Sequence, residues 1–288
     1  MQQKRLGVAA VLGASIMWAM EPVVAKLSFA TADFVQTSTI RALVVLLLAL
    51  AYLLLTGGRK DWRVQRREIA PLLYLALAGT LFADLLYFFA LQSIPVVNAV
   101  LIGHLQPLFI VLMGWMWLRG DQLAGLDYLG MACMMLSALL VTARHPDRLL
   151  SLELGTWGDV LVLLATLAWA SAAVVMRRFL RGLHAGTITL YRFAAASLAL
   201  TAYSLLTSGL EVASVYQVAV GAVVGLGTIL YYEGMKRMKA AQVGALELAS
   251  PFFAALLGFA VLGETVTGMQ MAGLTLLVAG VWLLARRE

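Results

Sequence analysis

The sequence predicts an all-α polytopic membrane protein with ten transmembrane helices. Of its 288 residues, 62% are hydrophobic and only 12% are charged, whereas soluble domains have roughly 45–50% apolar residues. The apolar stretches run for about 18–22 residues, which at 1.5 Å per residue is enough to cross a ~30 Å hydrocarbon core as helices. A membrane β-barrel would instead show alternating segments of about ten residues.

The ten predicted spans follow one another closely, and no segment between them is long enough for a soluble domain. The longest loops are 56–69 and 144–156. The spans are predicted at 6–27, 34–55, 70–91, 97–118, 126–143, 157–176, 185–207, 214–234, 243–263 and 268–285.

Loop charge predicts the orientation, because cytoplasmic loops carry an excess of Lys and Arg. If the N-terminus is cytoplasmic, the inside segments hold sixteen such residues and the outside ones three, so both termini are predicted inside. The inside set is Lys4, Arg5, Arg59, Lys60, Arg63, Arg66, Arg67, Arg119, Arg177, Arg178, Arg181, Lys236, Arg237, Lys239, Arg286 and Arg287; the outside set is Lys26, Arg144 and Arg148.

One pattern occurs twice along the chain. Residues 18–58 recur at 169–209, and a second block containing "QPLFIVLMG" recurs as "SPFFAALLG". Each half has five spans, an odd number, so the second half is predicted to lie inverted in the membrane. Inverted repeats, here 1–144 and 155–288, are typical of transporters. The matched pairs are Trp18/Trp169, Arg41/Arg192, Tyr87/Tyr231 and Pro107/Pro251.

Three motifs bring a known family into view. The first span contains "SIMWAMEPVVAK", the chain closes with "LGETVTGMQMAGLTLLVAG", and the first half has the related "LRGDQLAGLDYLGM". With the repeat, this resembles the EamA type of the drug/metabolite transporter superfamily over nearly the whole chain. The resemblance implies ten helices around a central cavity, alternating access, and export of amino acids, related metabolites or cationic drugs. Glu21 departs from the pattern, since many relatives have a small or neutral polar residue there.

Ionisable residues inside a membrane are costly and therefore mark candidate functional sites. Glu21 lies beside Pro22, which leaves the carbonyl of Trp18 without its helical donor. The carboxylate can attract a substrate ammonium or exchange a proton. The alternative is a structural ion pair with Lys26 or with an arginine of another helix.

Asp84 lies near the middle of the third span, with Tyr87 on the same helix face. Tyr231 is the repeat partner of Tyr87. A carboxylate with tyrosines suits a cavity wall that binds amines and aromatic groups. The alternative is a salt bridge between Asp84 and Arg41 that holds the helices together.

Two prolines at matched positions predict kinked helices, which point to a transport site in membrane transporters. His104 and Gln106 precede Pro107, and Glu247 and Ser250 precede Pro251. The four polar residues are predicted to bind substrate or relay protons. The alternatives are a packing role for the histidine and an interfacial position for Glu247.

The matched arginines and tryptophans have two interpretations each. Arg41 and Arg192 either gate opposite sides of the membrane or extend to the interfaces and pair there. Trp18 and Trp169 either wall a substrate site or pack helices together.

No motif for an enzyme, a metal or a nucleotide is present in the sequence. It has no Walker A loop, no His-Glu-x-x-His and no Gly-x-Ser-x-Gly. Three separated histidines and the lone Cys133 predict neither a zinc site nor an intrachain disulfide. We therefore expect no catalysis, no cofactor and no nucleic acid partner.

The predicted function is secondary transport in the cell inner membrane. The protein is expected to be a monomer that exports an amino acid or amine by alternating access, with protons as possible coupling ions. The alternatives are a passive facilitator or channel, an exporter of cationic drugs, and a membrane-embedded enzyme or sensor. Glu21, Asp84 and Glu247 have no acidic repeat partner; their counterparts are Ala172, Thr228 and Gly103. Asymmetric transport chemistry is expected on those three carboxylates.

Overall fold

The computed structural model describes residues 2–57, 60–117, 125–147, 155–180, 182–207, 209–237, 246–247 and 249–285. Within these ranges the chain is helical with short connections and contains no strand, which confirms the all-α prediction. Seven of the loop cations used for orientation lie outside the described residues, namely Arg59, Arg119, Arg148, Arg181, Lys239, Arg286 and Arg287.

The helices begin and end within a few residues of the predicted spans, except where the start of the ninth span falls outside the described residues. They are α1 Gln2–Ser28, α2 Phe34–Thr56, α3 Arg66–Tyr74, α4 Ala83–Leu91, α5 Val96–Gly103, α6 Gln106–Trp117, α7 Gly125–Ala143, α8 Trp157–Val175, α9 Ala185–Thr207, α10 Val215–Arg237, α11 Ala249–Leu262 and α12 Gly268–Ala285.

Among the residues that the structure describes, five helical segments are long and apolar enough to cross a membrane: Arg5–Ser28, Phe34–Thr56, Arg66–Leu91, Trp157–Leu180 and Val215–Met235. Four shorter apolar helices accompany them, at Val96–Ile110, Tyr128–Val141, Ala249–Leu262 and Gly268–Leu283. The protein is therefore a polytopic membrane protein. Ten crossings, the inversion of the halves and the side on which the termini lie stay predictions.

The backbone departs from regular α-helix at three places. A turn at His104–Leu105 separates α5 from α6, so the fourth span is broken at its predicted kink. A π-helical segment, Leu75–Phe82, connects α3 to α4, and a second, Met176–Leu180, extends α8. π-Bulges free backbone groups and occur often at functional sites. In contrast, α1 continues through Pro22 without a break.

Helices of the two halves pack against one another in matched couples. α1 contacts α10 and α11, while α4 and α6 contact α8. α2 contacts α9, and α7 contacts α12. If each helix is replaced by its counterpart in the other half, every one of these contacts becomes another contact of the same set or itself, as a two-fold repeat would require. The central part of the bundle is therefore built jointly by both halves.

Gly221 permits the close approach of α10 to α2. A Cβ atom there would lie 2.5 Å from the Cβ of Val44 and 2.9 Å from the carbonyl oxygen of Arg41. Because the carbonyl oxygen of Arg41 belongs to a helix backbone and cannot easily move aside, Gly221→Ala is expected to lower the free energy of unfolding by about 1–3 kcal/mol. The measurement is the melting temperature in detergent, which should fall. Gly268→Ala is the control, since no atom lies within 4 Å of its Cβ position. Equal melting temperatures for the two variants would contradict this packing.

Candidate functional site

A cavity of about 230 Å³ lies between the two halves. All ten residues predicted to bind substrate or couple transport line it: Trp18, Glu21, Asp84, Tyr87, His104, Gln106, Trp169, Tyr231, Glu247 and Ser250. Arg41, Arg192 and Pro107 also line it, whereas Pro22 and Pro251 do not. Side chains that lie far apart in sequence and on different helices therefore share one chamber.

Arg41 is the centre of an ion-pair network in the cavity wall. It is 1% exposed, and its guanidinium donates to Glu21 Oε1 at 3.1 Å and to Asp84 Oδ2 at 2.7 Å. Its Cζ lies 4.6 Å from the ring centre of Phe88. Arg41 thus does not extend to an interface. One guanidinium compensates two carboxylates at once, and its Nε is buried without a hydrogen-bond partner.

The second matched arginine approaches the same carboxylate from the other half. Arg192 Nη2 lies 4.0 Å from Asp84 Oδ2, and its Nε donates to the hydroxyl of Thr80 at 2.7 Å. Arg192 Nη2 also donates to the Gly79 carbonyl at 3.1 Å. Gly79 and Thr80 belong to the π-helical segment Leu75–Phe82. The irregular backbone therefore supplies acceptors inside the membrane where polar groups need partners.

Trp169 connects the aromatic wall to this network. Its indole Nε1 donates to Asp84 Oδ1 at 2.7 Å and to the Gly79 carbonyl at 3.1 Å. The rings of Trp169 and Tyr87 have their centres 5.2 Å apart. Trp18 of the first half and Tyr231 of the second form the equivalent pair, with ring centres 4.7 Å apart. Two repeat-related aromatic pairs therefore wall the cavity.

Glu247 and Ser250 form a second polar group, away from the arginine network. The Tyr231 hydroxyl donates to the Glu247 carboxylate. Glu247 Oε1 and the Oγ of Ser250 are nevertheless buried without a hydrogen-bond partner among the described residues. His104 Nδ1 lies 2.7 Å from the Val100 carbonyl. Because a carbonyl only accepts, Nδ1 carries a proton in that hydrogen bond.

The ion pairs separate the alternatives left open by the sequence. Glu21 pairs with an arginine of another helix and not with Lys26, whose Nζ lies 2.8 Å from Glu264 Oε1. Asp84 does make the expected salt bridge to Arg41. These contacts are structural, and they do not exclude a transport role, because both carboxylates also face the cavity.

Glu264 connects three elements at one end of the bundle. Its Oε1 accepts from Lys26 of α1, and its Oε2 accepts from the backbone N–H of Val96 at 2.8 Å, where α5 begins. A carboxylate at a helix N-terminus is favourable because of the helix dipole. Its own N–H donates to the Gly258 carbonyl of α11 at 3.1 Å. The loop charges predict that this end is extracellular.

Some residues that line the cavity or bind its charged groups were not identifiable from the sequence. Arg177 lines the cavity, although its position next to Arg178 suggested a loop cation. Gly79 and Thr80 carried no sequence signal, because π-helical geometry follows from tertiary contacts. Among the residues that the structure describes, no three His, Cys, Asp or Glu side chains come together as a metal site would require.

Comparisons with known proteins agree with the membrane fold. The model of the EamA-like transporter family matches residues 5–143 and again 156–286. An uncharacterized transporter of Methanothermobacter thermautotrophicus is 27% identical over 233 residues, which are 79% of this chain and 67% of that protein. An uncharacterized transporter of Synechocystis sp. is 25% identical over 77% of this chain and 65% of its own.

Two further comparisons point the same way. An uncharacterized transporter of Archaeoglobus fulgidus is 26% identical over 70% of this chain and 71% of its own length. The chain thus spans about two thirds of these relatives. A crystal structure with 22% sequence identity aligns over 98% of both chains with a TM-score of 0.67, a likeness that concerns the fold alone.

Proposed function

The chain belongs to the EamA-like transporter family, and we propose that it is a secondary transporter that exports a small organic metabolite, an amino acid or an amine, by alternating access. The proposed location is the cell inner membrane. The observation that carries the proposal is the chamber between the two halves, which brings ionisable and aromatic side chains into an otherwise apolar bundle.

The lining of the cavity supports a small polar substrate. Three carboxylates and three arginines line it, namely Glu21, Asp84, Glu247, Arg41, Arg177 and Arg192. Charged groups of both signs with aromatic walls suit a zwitterion or an amine. Pockets for drug-sized ligands measure about 300–1,000 Å³, so a cavity of about 230 Å³ favours a metabolite over a bulky cationic drug.

Alternating access is supported by how the predicted outer end of the cavity is built. The contacts of Glu264 with Lys26 and Val96 join helices of both halves at the predicted outer end. Such ionic and backbone contacts can break and reform when one half moves against the other. The protein then exposes the cavity to one side at a time.

Counterflow in proteoliposomes tests the proposal directly. Purified protein is reconstituted with a high internal concentration of one unlabelled solute, and transient uptake of the same labelled solute is measured. The panel is composed of amino acids, polyamines and quaternary amines, with sugars as the unrelated class. The proposal expects counterflow with at least one amino acid or amine; counterflow with sugars alone, or with none of the panel, contradicts it.

A second experiment tests the proposal that Glu21 couples transport to protons. Glu21→Gln cannot take up and release a proton at that position, but it retains an oxygen that can accept from Arg41. We expect the variant to lose acceleration by an imposed pH gradient while keeping counterflow. Full pH-driven uptake by Glu21→Gln would eliminate this role. Wild-type protein that never accumulates substrate uphill would instead favour the passive facilitator.

A further inference from the structure

We infer that the cavity contains an ammonium subsite formed by Glu247 and Ser250 and walled by Trp18 and Tyr231. This inference rests on the proposed function and deepens it, since it names a cationic amine group as the part of the substrate that is recognised. It also assigns that recognition to Glu247 and not to Glu21.

The three cavity carboxylates differ in how far the protein already compensates them. Asp84 accepts from Arg41 at 2.7 Å through one oxygen and from Trp169 at 2.7 Å through the other. Glu21 accepts from Arg41 at 3.1 Å. Glu247 accepts from the neutral hydroxyl of Tyr231, and no described residue donates to its buried Oε1. Glu247 therefore retains the acceptor capacity that a ligand can use.

Ser250 provides a second, independent indication at the same place. Its side chain is fully buried and lines the cavity, and its Oγ has no hydrogen-bond partner in the part of the chain that the structure describes. Buried polar atoms are normally hydrogen-bonded, and an exception is costly because the group has lost its water without gaining a partner. Two such atoms, three residues apart in the chain, indicate that a donor from outside the protein completes the site.

An ammonium group fits the two unsatisfied acceptors better than a neutral donor does. It carries three N–H donors and a full positive charge, so it can donate to Glu247 and to Ser250 together. Tyr231 contacts Glu247, and its ring centre lies 4.7 Å from that of Trp18, which also lines the cavity. The faces of aromatic rings attract cations, and the attraction is stronger where water is excluded.

The nearby cation leaves the subsite available. Arg177 acts on Glu247 electrostatically, but among the described residues the two form no ion pair within 4.0 Å. Arg41 and Arg192 are both engaged at Asp84. Among the described residues Glu247 makes no salt bridge, so an entering ammonium can bind it without breaking one.

Binding of matched probes tests the inference. Phenethylamine is the cationic probe and 2-phenylethanol its neutral analogue of similar size, each titrated into the purified full-length protein by calorimetry and by thermal shift. The wild type is expected to prefer the amine. Glu247→Gln should weaken amine binding by about tenfold or more, because a charge-assisted hydrogen bond is lost. Ser250→Ala should weaken it by a smaller factor. Both variants should bind the alcohol as the wild type does.

Glu233→Gln is the matched control, because Glu233 pairs with Arg237 and does not line the cavity. If Glu247→Gln fails to fold, Ser250→Ala provides the test alone. Amine binding unchanged in the folded variants, or a wild type that binds the alcohol as well as the amine, overturns the inference. Counterflow of amino acids by a protein that does not prefer the amine probe would contradict the subsite and leave the proposed function standing. Absence of any counterflow would contradict the proposed function itself.

Discussion

Arg41→Met is expected to destabilise the protein more than any other single substitution in the cavity wall. It removes the only guanidinium within hydrogen-bond distance of both Glu21 and Asp84 among the described residues. Removing one partner of a buried ion pair leaves an uncompensated charge and costs about 3–5 kcal/mol. We expect the melting temperature in detergent to fall by roughly 10 °C and substrate counterflow to be lost.

A combined variant separates charge compensation from shape. Arg41→Met together with Glu21→Gln and Asp84→Asn removes the two carboxylates that the loss of Arg41 leaves uncompensated. The amide oxygen introduced by Asp84→Asn can still accept from Trp169, and Arg192 keeps its hydrogen bonds to Thr80 and Gly79. Neutral replacement of a buried ion network is often well tolerated, so most of the lost stability should return without transport. Arg178→Met is the control, because Arg178 is exposed. A combined variant as unstable as Arg41→Met would show that packing, and not charge, dominates at this position.

The sequence predicted the helices well because their signals are local. Apolar runs of sufficient length define where helices lie, and the described helices agree with the predicted spans. The break at His104–Leu105 was also predictable, since Pro107 has no backbone N–H and therefore cannot donate to the carbonyl of Gly103, one turn earlier. In contrast, the π-helical segment Leu75–Phe82 depends on Arg192 and Trp169 from the other half, which hold the carbonyl of Gly79.

The candidate site was predictable in its residues but not in its connections. Membrane burial makes every ionisable residue conspicuous, so Glu21, Asp84 and Glu247 were all singled out, and all three line the cavity. Which carboxylate is compensated by which arginine follows from distances between helices, and no local pattern encodes those distances. For this reason the sequence could not distinguish Glu21 from Glu247, whereas the geometry leaves Glu247 with an unused acceptor among the described residues.

Glu264→Ala is expected to open the predicted outer end of the cavity. The substitution removes two charge-assisted hydrogen bonds, one from Lys26 Nζ and one from the N–H of Val96, both at 2.8 Å. Each is worth about 1.5–3 kcal/mol, and about 1.4 kcal/mol changes a conformational equilibrium tenfold. The population open to the outside should therefore rise at least tenfold, and uptake should become uncoupled from any driving gradient.

Cysteine labelling from outside measures that opening. In a Cys133→Ser background, Gly103→Cys places a thiol in the cavity wall, where the nearest atom to a Cβ is 3.9 Å away on Trp169. A membrane-impermeant methanethiosulfonate applied to right-side-out vesicles should label this thiol at least tenfold faster in the Glu264→Ala protein. Lys26→Met should give a smaller increase, because the bond to Val96 remains. Equal labelling rates in all three proteins would mean that Glu264 does not hold the outer end closed.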